Sequence, residues 1–287
     1  MRVAVCLAWV LDSTLSLTVD QNTGAVRQDE PEPVWVVNPA DRAALEMAMH
    51  LGGETFAVTV GPEAARGALT FALARGAKRA VHILAPDEAR RTAPGVAGAL
   101  AGAIQPLAVD LILCGDRTIQ AGTGAVGPYM AEALGWPHVM GVVTIEATGG
   151  VLRAQRRLPG GSRQVLETSP PAVLSVEGSA SEPRYVSVLA RARAASLPVE
   201  VRQAPREEHV LVRLLRQAPP RPRPKRVPLP EKNLPAAERM RMLLGGGTAP
   251  RANQASAAAP SDRGPIEGDP DALAERIVRF LASEGIL

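Results

Sequence analysis

The chain has 287 residues, and 46% of them are hydrophobic, which is enough for one large buried core or two smaller ones. Its net charge is only +3 and 3% of its residues are aromatic, a composition that argues against nucleic-acid binding. The apolar stretch at the N-terminus is too short to span a bilayer and lacks a small-residue cleavage pattern. We therefore expect a cytoplasmic protein without membrane insertion.

Side chains that commonly carry catalysis or bind metals are few and scattered along this sequence. Neither a metal-ligand spacing nor a nucleophile motif is present, so we expect no metal site and no catalytic residue in this chain. Both cysteines lie in apolar runs, which is typical of unreactive buried thiols in a reducing compartment. These side chains are His50, His82, His138, His209, Cys6 and Cys114.

The first 177 residues alternate short aliphatic runs with Ala- and Leu-rich segments of helical period. The aliphatic runs predict strands covered on both faces, hence a mainly parallel sheet, at 2–10, 55–60, 80–84 and 109–114. The intervening segments predict helices at about 40–51, 63–75, 91–105 and 123–135. This alternation is typical of a doubly wound, Rossmann-like α/β fold that binds adenine nucleotides.

The pattern changes twice after this alternating section. From residue 138, β-rich stretches separated by Gly-Gly pairs predict antiparallel strands at one edge of the same sheet. We place the end of the nucleotide-binding domain at residue 200, so that it spans 1–200. Residues 201–265 are rich in Pro and Ala and carry a basic cluster, which predicts an extended linker arm.

The last segment, 266–287, regains a helical period. Its apolar residues recur at spacings of three and four and form one stripe, made of Leu273, Ile277, Val278 and Leu281. An isolated amphipathic helix needs a surface that covers such a stripe. We expect this helix to dock on a partner subunit, although the same chain is an alternative.

One Gly-rich turn, CGDRTIQAGTGAVGP at 114–128, stands between a predicted strand and a predicted helix. At the carboxyl end of a parallel strand, such a turn brings backbone N–H groups close to a phosphate. Gly122, Thr123 and Gly124 are the candidates for this role, but ordinary helix capping uses the same residue types. We expect the helix that follows to turn Val126, Tyr129, Met130 and Ala133 inward.

Several short motifs resemble the β subunit of the electron transfer flavoproteins. They are NPADRAALE at 38–46, VGPEAARGALTFALARGAKRAVHI at 60–83, GWP at 135–137 and SVEGSASEPRYVSV at 175–188. The resemblance covers residues 1 to about 195 and resumes at about 264–287. It differs from the family pattern at Ala8 and at Asp116-Arg117, where the family usually has lysine or Lys-Gln.

The resemblance implies a heterodimer with an α subunit that carries FAD. Such a dimer passes electrons from flavin dehydrogenases to an acceptor, and its β subunit holds AMP or a second FAD. The segment TGAVGP is similar to the electron-bifurcating members, which favours FAD over AMP here. By position, the cofactor contacts would be Cys6, Asn38, Pro39, Ala40, Asp41, Val60, Gly115, Asp116, Ile119, Gly122, Thr123, Gly124, Ala125 and Val126.

The segment after SEPRY is expected to meet the redox partner. By the same resemblance, its contacts would be Tyr185, Val188 and Leu189, with Val188 as the apolar docking residue. Packing of Val188 on the body of the protein is the alternative. A second reading of the whole chain is an adenine-nucleotide-binding regulatory module without electron transfer, although such a module has no need of a long arm and a detached helix.

Overall fold

The computed structural model describes residues 1–20, 26–28, 33–85, 92–204 and 270–283. These residues belong to two compact units, Met1–Arg221 and Pro222–Leu287. The described part of the second unit is a single helix. Most of the predicted linker arm, from residue 205 onward, lies outside the described residues.

The four predicted helices of the first unit and the strands predicted between them occur in the expected order, together with further strands and one helix that the sequence did not predict. Its strands are β1 Arg2–Cys6, β2 Trp9–Leu11, β3 Leu17–Val19, β4 Val26–Gln28, β5 Trp35–Val37, β6 Glu54–Gly61, β7 Arg79–Leu84, β8 Leu111–Gly115, β9 His138–Thr148, β10 Val151–Arg157, β11 Arg163–Thr168, β12 Ala172–Val176 and β13 Glu200–Gln203. Its helices are α1 Pro39–Leu51, α2 Arg66–Leu73, α3 Ala93–Ile104, α4 Val126–Leu134 and α5 Val188–Ala195. Helix α6, Pro270–Ser283, belongs to the second unit.

A sheet that has nine strands within the described residues runs through the first unit, in the order β11-β10-β9-β12-β8-β1-β6-β7-β13. From β9 to β13 all neighbouring strands are parallel. Strands β10 and β11 extend the β9 edge as antiparallel hairpins. The predicted α/β fold with a mainly parallel sheet and an antiparallel edge is confirmed.

Helices cover both faces of the sheet, which explains why its central strands are aliphatic throughout. In β1, Val3 and Val5 face the side that holds α1 and α2. Ala4 and Cys6 face the opposite side, where α3 and α4 pack. Because both faces are buried, the carboxyl-terminal edge of the parallel strands is where the chain can expose polar groups to a ligand.

The structure corrects the prediction for the fourth helix. Helix α4 begins at Val126 rather than at residue 123, because Gly124 has a left-handed backbone with φ of +64° that a right-handed helix does not accommodate. Val126 is half-buried and Met130 is fully buried, as predicted. Tyr129 and Ala133 are exposed, so the prediction that they face inward is wrong.

The predicted strand 2–10 is also shorter than expected. Strand β1 ends at Cys6, and the chain then turns so that β2 pairs antiparallel with β5. The sequence reasoning did not identify β12, α5 or β13. Strand β12 lies in the middle of the sheet between β8 and β9, and β13 pairs with β7 at the far edge.

The predicted C-terminal helix is present as α6. Ile277, Val278 and Phe280 are exposed on it, and an ion pair of 2.8 Å joins Arg279 to Glu275 one turn earlier. None of the described helices is long and apolar enough to cross a membrane.

Candidate functional site

Residues at the start of α1 form hydrogen bonds with the turns that follow two neighbouring parallel strands, β1 and β8. The N–H of Asn38 donates to the carbonyl of Ala8, which follows β1, over 3.0 Å. The Asn38 side chain donates to the Arg117 carbonyl at 3.0 Å and accepts from the Ile119 N–H at 3.1 Å, both after β8. A fully buried asparagine therefore holds the Gly-rich turn in place.

Asp41, one turn further along α1, forms a second link between the same two strand ends. One carboxylate oxygen accepts the Ala8 N–H at 2.8 Å and the other accepts the Gly115 N–H at 2.7 Å. Burial raises the pKa of Asp41 to about 7, against the lowering effect of these hydrogen bonds and one from Asn38. Gly115 is required because a Cβ there would lie 2.6 Å from the Cβ of Ala40.

The turn between β8 and α4 is held at its base and exposed at its tip. Asp116 is buried and its N–H donates to Val176 at the end of β12, over 2.8 Å. Thr118 accepts from the Gly122 N–H through its carbonyl and from the Ala121 N–H through its hydroxyl. The exposed tip comprises residues 119–123. These contacts fix the path of the turn while leaving its outer side free.

Helix α4 begins without a side chain that caps it. Ala125 occupies the N-cap position and cannot accept a hydrogen bond through its side chain. The first N–H groups of a helix have no intrahelical acceptor, so those of Val126 and Gly127 need another partner. Gly122 and Gly124 precede them with φ of +65° and +64°.

A buried polar cluster lies beneath the start of α4. The Ser175 hydroxyl is 2.8 Å from Nε2 of His138 and 3.4 Å from the thiol of Cys114. Burial lowers the pKa of His138 and raises that of Cys114 to about 12, so both are neutral near pH 7. Gly127 packs directly on this cluster, and a Cβ there would lie 2.9 Å from the His138 ring.

A cleft of about 570 Å³ opens beside the start of α1. Five predicted site residues line one wall, namely Asn38, Pro39, Ala40, Asp116 and Ile119. The sequence reasoning missed the facing wall, which comes from the end of β10, the β10–β11 connection and the residues after β12: Arg157, Leu158, Pro159, Glu177, Gly178 and Ser179. Arg157 and Glu177 form an ion pair there at 2.6 Å.

The other predicted site residues lie apart from this cleft. Cys6 and Val60 are buried in the apolar cluster that packs on α3 and α4, and Val126 packs against the same cluster. Gly115 stands at the end of β8, and the remaining residues follow the turn: Gly122, Thr123, Gly124 and Ala125. The predicted set therefore divides into one group at the cleft, one around the turn into α4, the buried pair Cys6 and Val60, and Asp41, which links the ends of β1 and β8.

A separate polar link holds the segment that precedes α5. Glu46 of α1 has a side chain that is only 4% exposed, and it faces Arg184. Its carboxylate accepts the Arg184 backbone N–H at 3.0 Å, Nε at 2.9 Å and the terminal guanidinium nitrogen at 2.7 Å. Burial alone would raise the pKa of Glu46, but the hydrogen bonds and charge of Arg184 outweigh it and lower the pKa.

The residues after Arg184 form what we call the docking segment, 185–189. Tyr185, Val188 and Leu189 are 87%, 79% and 59% exposed. Between them, Val186 is buried, and Ser187 caps α5 by accepting the Ala190 N–H at 3.2 Å. Three large side chains are therefore exposed on a segment that is itself held in place. Buried Val186, the Ser187 cap and the ion pair between Arg184 and Glu46 hold it.

Comparison with known proteins identifies the class to which this fold belongs. The profile of a family described as Electron transfer flavoprotein domain matches residues 29–207. The chain therefore belongs to the electron transfer flavoprotein family, whose members are flavoproteins, and it is an electron transfer flavoprotein subunit.

The similar proteins include β subunits of electron transfer flavoproteins. The electron transfer flavoprotein subunit beta of Clostridium acetobutylicum is 34% identical over 195 residues, which cover 66% of this chain and 73% of that protein. The subunit beta of Bacillus subtilis is 32% identical over 205 residues, covering 70% and 78%. The acryloyl-CoA reductase electron transfer subunit gamma of Anaerotignum propionicum is 29% identical over 195 residues, covering 66% and 72%.

Proposed function

We propose that this chain is the β subunit of a heterodimer whose α subunit carries FAD, and that it binds a second adenine nucleotide itself. The observation that carries this proposal is the uncapped start of α4 at the carboxyl-terminal edge of the parallel strands. Its free N–H groups and the partial positive charge of the helix terminus are suited to a phosphate.

The residues around this turn fit such a group. Gly122 and Gly124 have no Cβ that would keep a phosphate at a distance, and the exposed hydroxyl of Thr123 is an additional donor. The carboxylate of Asp116 would repel a phosphate, but Arg117 offsets it through an ion pair of 3.2 Å. FAD is the nucleotide that TGAVGP favours, and AMP is the alternative.

The FAD of the α subunit would supply the redox centre that takes electrons from flavin dehydrogenases and passes them to an acceptor. The proposed role of this chain is to bind the second nucleotide and to orient it. Asn38 and Asp41 hold the turn that faces the nucleotide, while the cleft beside α1 would form part of the wall around the α-subunit flavin. A cytoplasmic location agrees with exchange of electrons with such dehydrogenases.

Nucleotide analysis of the purified heterodimer tests the proposal. Denaturation and chromatography should release two FAD per dimer. One FAD with one AMP would change the identity of the nucleotide in this chain, and one FAD without AMP would show that the turn holds no nucleotide.

A matched pair of variants localises the nucleotide. Gly124→Val places a branched side chain in the turn and should remove the second nucleotide. Gly149→Val is the control, because Gly149 has a similar φ of +61° but lies in open space in the β9–β10 hairpin. If both variants lose the second nucleotide equally, the turn is not its binding site.

The exposed face of α6 favours a heterodimer over a regulatory module that acts alone. Each large apolar side chain left in water costs about 1.5–3 kcal/mol relative to a buried one, so a partner surface would stabilise Ile277, Val278 and Phe280. Truncation after Pro265 should weaken binding to the α subunit in calorimetry. Unchanged affinity would show that α6 does not contribute to the interface.

The docking segment is the proposed contact with flavin dehydrogenases. Val188→Glu should slow reduction of the heterodimer by a dehydrogenase while leaving its bound flavin unchanged. Val201→Glu is the control, since Val201 is also exposed, at 50%, but lies on the edge strand β13 and outside the docking segment. Equal reduction rates for the two variants would contradict this contact.

A further inference from the structure

Gly127, the second residue of α4, is a glycine for a different reason from Gly122 and Gly124. Those two have left-handed backbones, whereas Gly127 lies within the helix and its φ is not positive. A Cβ at Gly127 would collide with the hydroxyl of Ser175 and lie 2.9 Å from Nε2 of His138. Glycine is therefore required here because the backbone of α4 lies directly on these two side chains.

The pairing of three strands builds the buried polar cluster on which Gly127 lies. Ser175 of β12 pairs in register with Cys114 of β8, and His138 begins β9 on the other side of β12. The Ser175 hydroxyl, which is fully buried, is 2.8 Å from Nε2 of His138 and 3.4 Å from Sγ of Cys114. It therefore connects side chains from all three strands.

The polar cluster is the directional contact at the start of α4. Further along the helix, Met130 and Ala131 pack in the apolar cluster, and apolar packing does not by itself fix an orientation. No side chain caps the helix, so its first turn has no N-cap hydrogen bond to hold it. A hydrogen-bonded pair has a defined length and direction, so the contact of Gly127 with Ser175 and His138 sets the position of the first turn.

We propose that His138 and Ser175 are positioning residues for the phosphate of the nucleotide. They hold the first turn of α4 where the N–H groups of Val126 and Gly127 can donate to that phosphate. The inference rests on the proposed nucleotide site and names the side chains on which the geometry of that site depends. Ser175 acts through the backbone of Gly127, since it is buried beneath the helix.

Two helix glycines give a matched pair of variants. Gly127→Ala places a methyl group against the polar cluster and should displace the first turn of α4. Gly98→Ala is the control, because Gly98 lies within α3 and a Cβ there would have nothing within 4 Å. The full heterodimer is dialysed against nucleotide-free buffer, and FAD and AMP that remain bound are measured by chromatography at intervals. Gly127→Ala should release the second nucleotide about tenfold faster than wild type, and Gly98→Ala at the wild-type rate.

A second pair of variants tests the hydrogen bond between His138 and Ser175. His138→Leu removes the bond and should release the second nucleotide about tenfold faster, whereas the amide of His138→Gln can replace Nε2 and should keep the rate within about threefold of wild type. Adding Ser175→Ala to Gly127→Ala should slow release again, because it removes the hydroxyl with which the new methyl group collides. Urea unfolding of each variant gives its stability. Release rates that simply follow the loss of stability would show that the cluster supports only the fold.

The possible outcomes separate this inference from the proposed site. If Gly124→Val removes the second nucleotide but Gly127→Ala and Gly98→Ala release it equally fast, the site stands and the positioning role is wrong. Equal release from His138→Leu and His138→Gln would also overturn that role, and this pair decides if Gly127→Ala does not fold. If the wild-type heterodimer holds no second nucleotide, both the site and the inference fail.

Discussion

Two carboxyl groups on α1 hold two different loops, and their pKa values are shifted in opposite directions. Asp41 holds the turn into α4 and is surrounded by neutral backbone donors. Glu46, five residues later, holds the segment before α5 and meets a guanidinium. Burial raises the pKa of Asp41 to about 7, whereas Arg184 overcomes burial and lowers the pKa of Glu46.

The difference shows that burial alone does not decide the charge of a carboxyl group. Neutral N–H donors compensate only part of the cost of desolvating Asp41, so this group binds a proton near neutral pH. A guanidinium supplies both hydrogen bonds and charge, so Glu46 stays ionised. The contacts of Asp41 with the turn therefore depend on pH near neutrality. The ion pair of Glu46 with Arg184, which holds the docking segment, stays intact near neutral pH.

The largest expected effect is a change in the pH dependence of stability in Asp41→Asn. The folded carboxyl has a pKa of about 7 against an ordinary value of 3.8, so the folded state binds more protons between these pH values. The contribution of Asp41 is present below the unfolded pKa and is lost as pH rises toward 7. It amounts to at most about 4 kcal/mol, at 1.4 kcal/mol per pKa unit.

Urea unfolding at several pH values measures this effect as the difference in unfolding free energy between wild type and Asp41→Asn. That difference should fall as pH rises through this window. Glu46→Gln is the matched comparison, and its difference from wild type should shrink as pH falls, because the folded pKa of Glu46 is lowered. The same sign of slope in both variants would contradict the assigned states.

The next effect is the loss of Arg184. Arg184→Ala leaves the Glu46 carboxylate buried without its guanidinium, which should cost about 3 kcal/mol of unfolding free energy. Arg153→Ala is the control, because Arg153 meets Glu167 at the same 2.7 Å but both side chains are more than half exposed. Its cost should be below about 1 kcal/mol. Equal costs in urea unfolding would mean that burial of Glu46 does not matter.

A smaller loss of stability is expected in Asn38→Ala, and it should affect the turn but not the docking segment. Asn38→Ala removes the acceptor of the Ile119 N–H and the donor to the Arg117 carbonyl, at a cost of about 2 kcal/mol. Hydrogen exchange at Ile119 and its neighbours should accelerate while exchange in α5 stays unchanged. Uniform acceleration across both regions would indicate that Asn38 supports the whole domain instead of one turn.

The smallest effect is local to α5. Ser187→Ala removes the helix cap and should destabilise the start of α5 by about 1 kcal/mol, with faster exchange at Ala190. Thr92→Ala removes a comparable cap from α3, whose Gly95 N–H is bound by the Thr92 hydroxyl. Only the Ser187 variant should slow reduction by a dehydrogenase. A similar slowing in both would exclude a specific role for the docking segment.

The sequence predicts the parallel core well because its signal is local. Aliphatic runs such as β6 and β8 are buried on both faces, and the segments between them have helical period. It does less well where backbone geometry decides. The left-handed conformation of Gly124 moves the start of α4 to a later residue. The sequence Gly-Thr-Gly does not by itself reveal this φ value.

The candidate site was only partly predictable for the same reason. The sequence located the turn at 114–128 and the start of α1, since glycine and Asn-Pro mark such junctions. It missed the facing wall of the cleft, because Arg157 at the end of β10 and Glu177 just after β12 are brought together only by the pairing of strands in the sheet.

The sequence by itself determined the α/β core, the antiparallel edge, the Gly-rich turn and the amphipathic period of α6, because each depends on neighbouring residues. Only the tertiary structure decided which polar residues meet. Asn38 reaches Ile119 across 81 residues and Glu46 reaches Arg184 across 138. Such pairs have no local signature, since they form where packing of α1 on the sheet brings distant segments within hydrogen-bond distance and excludes water that would otherwise satisfy them.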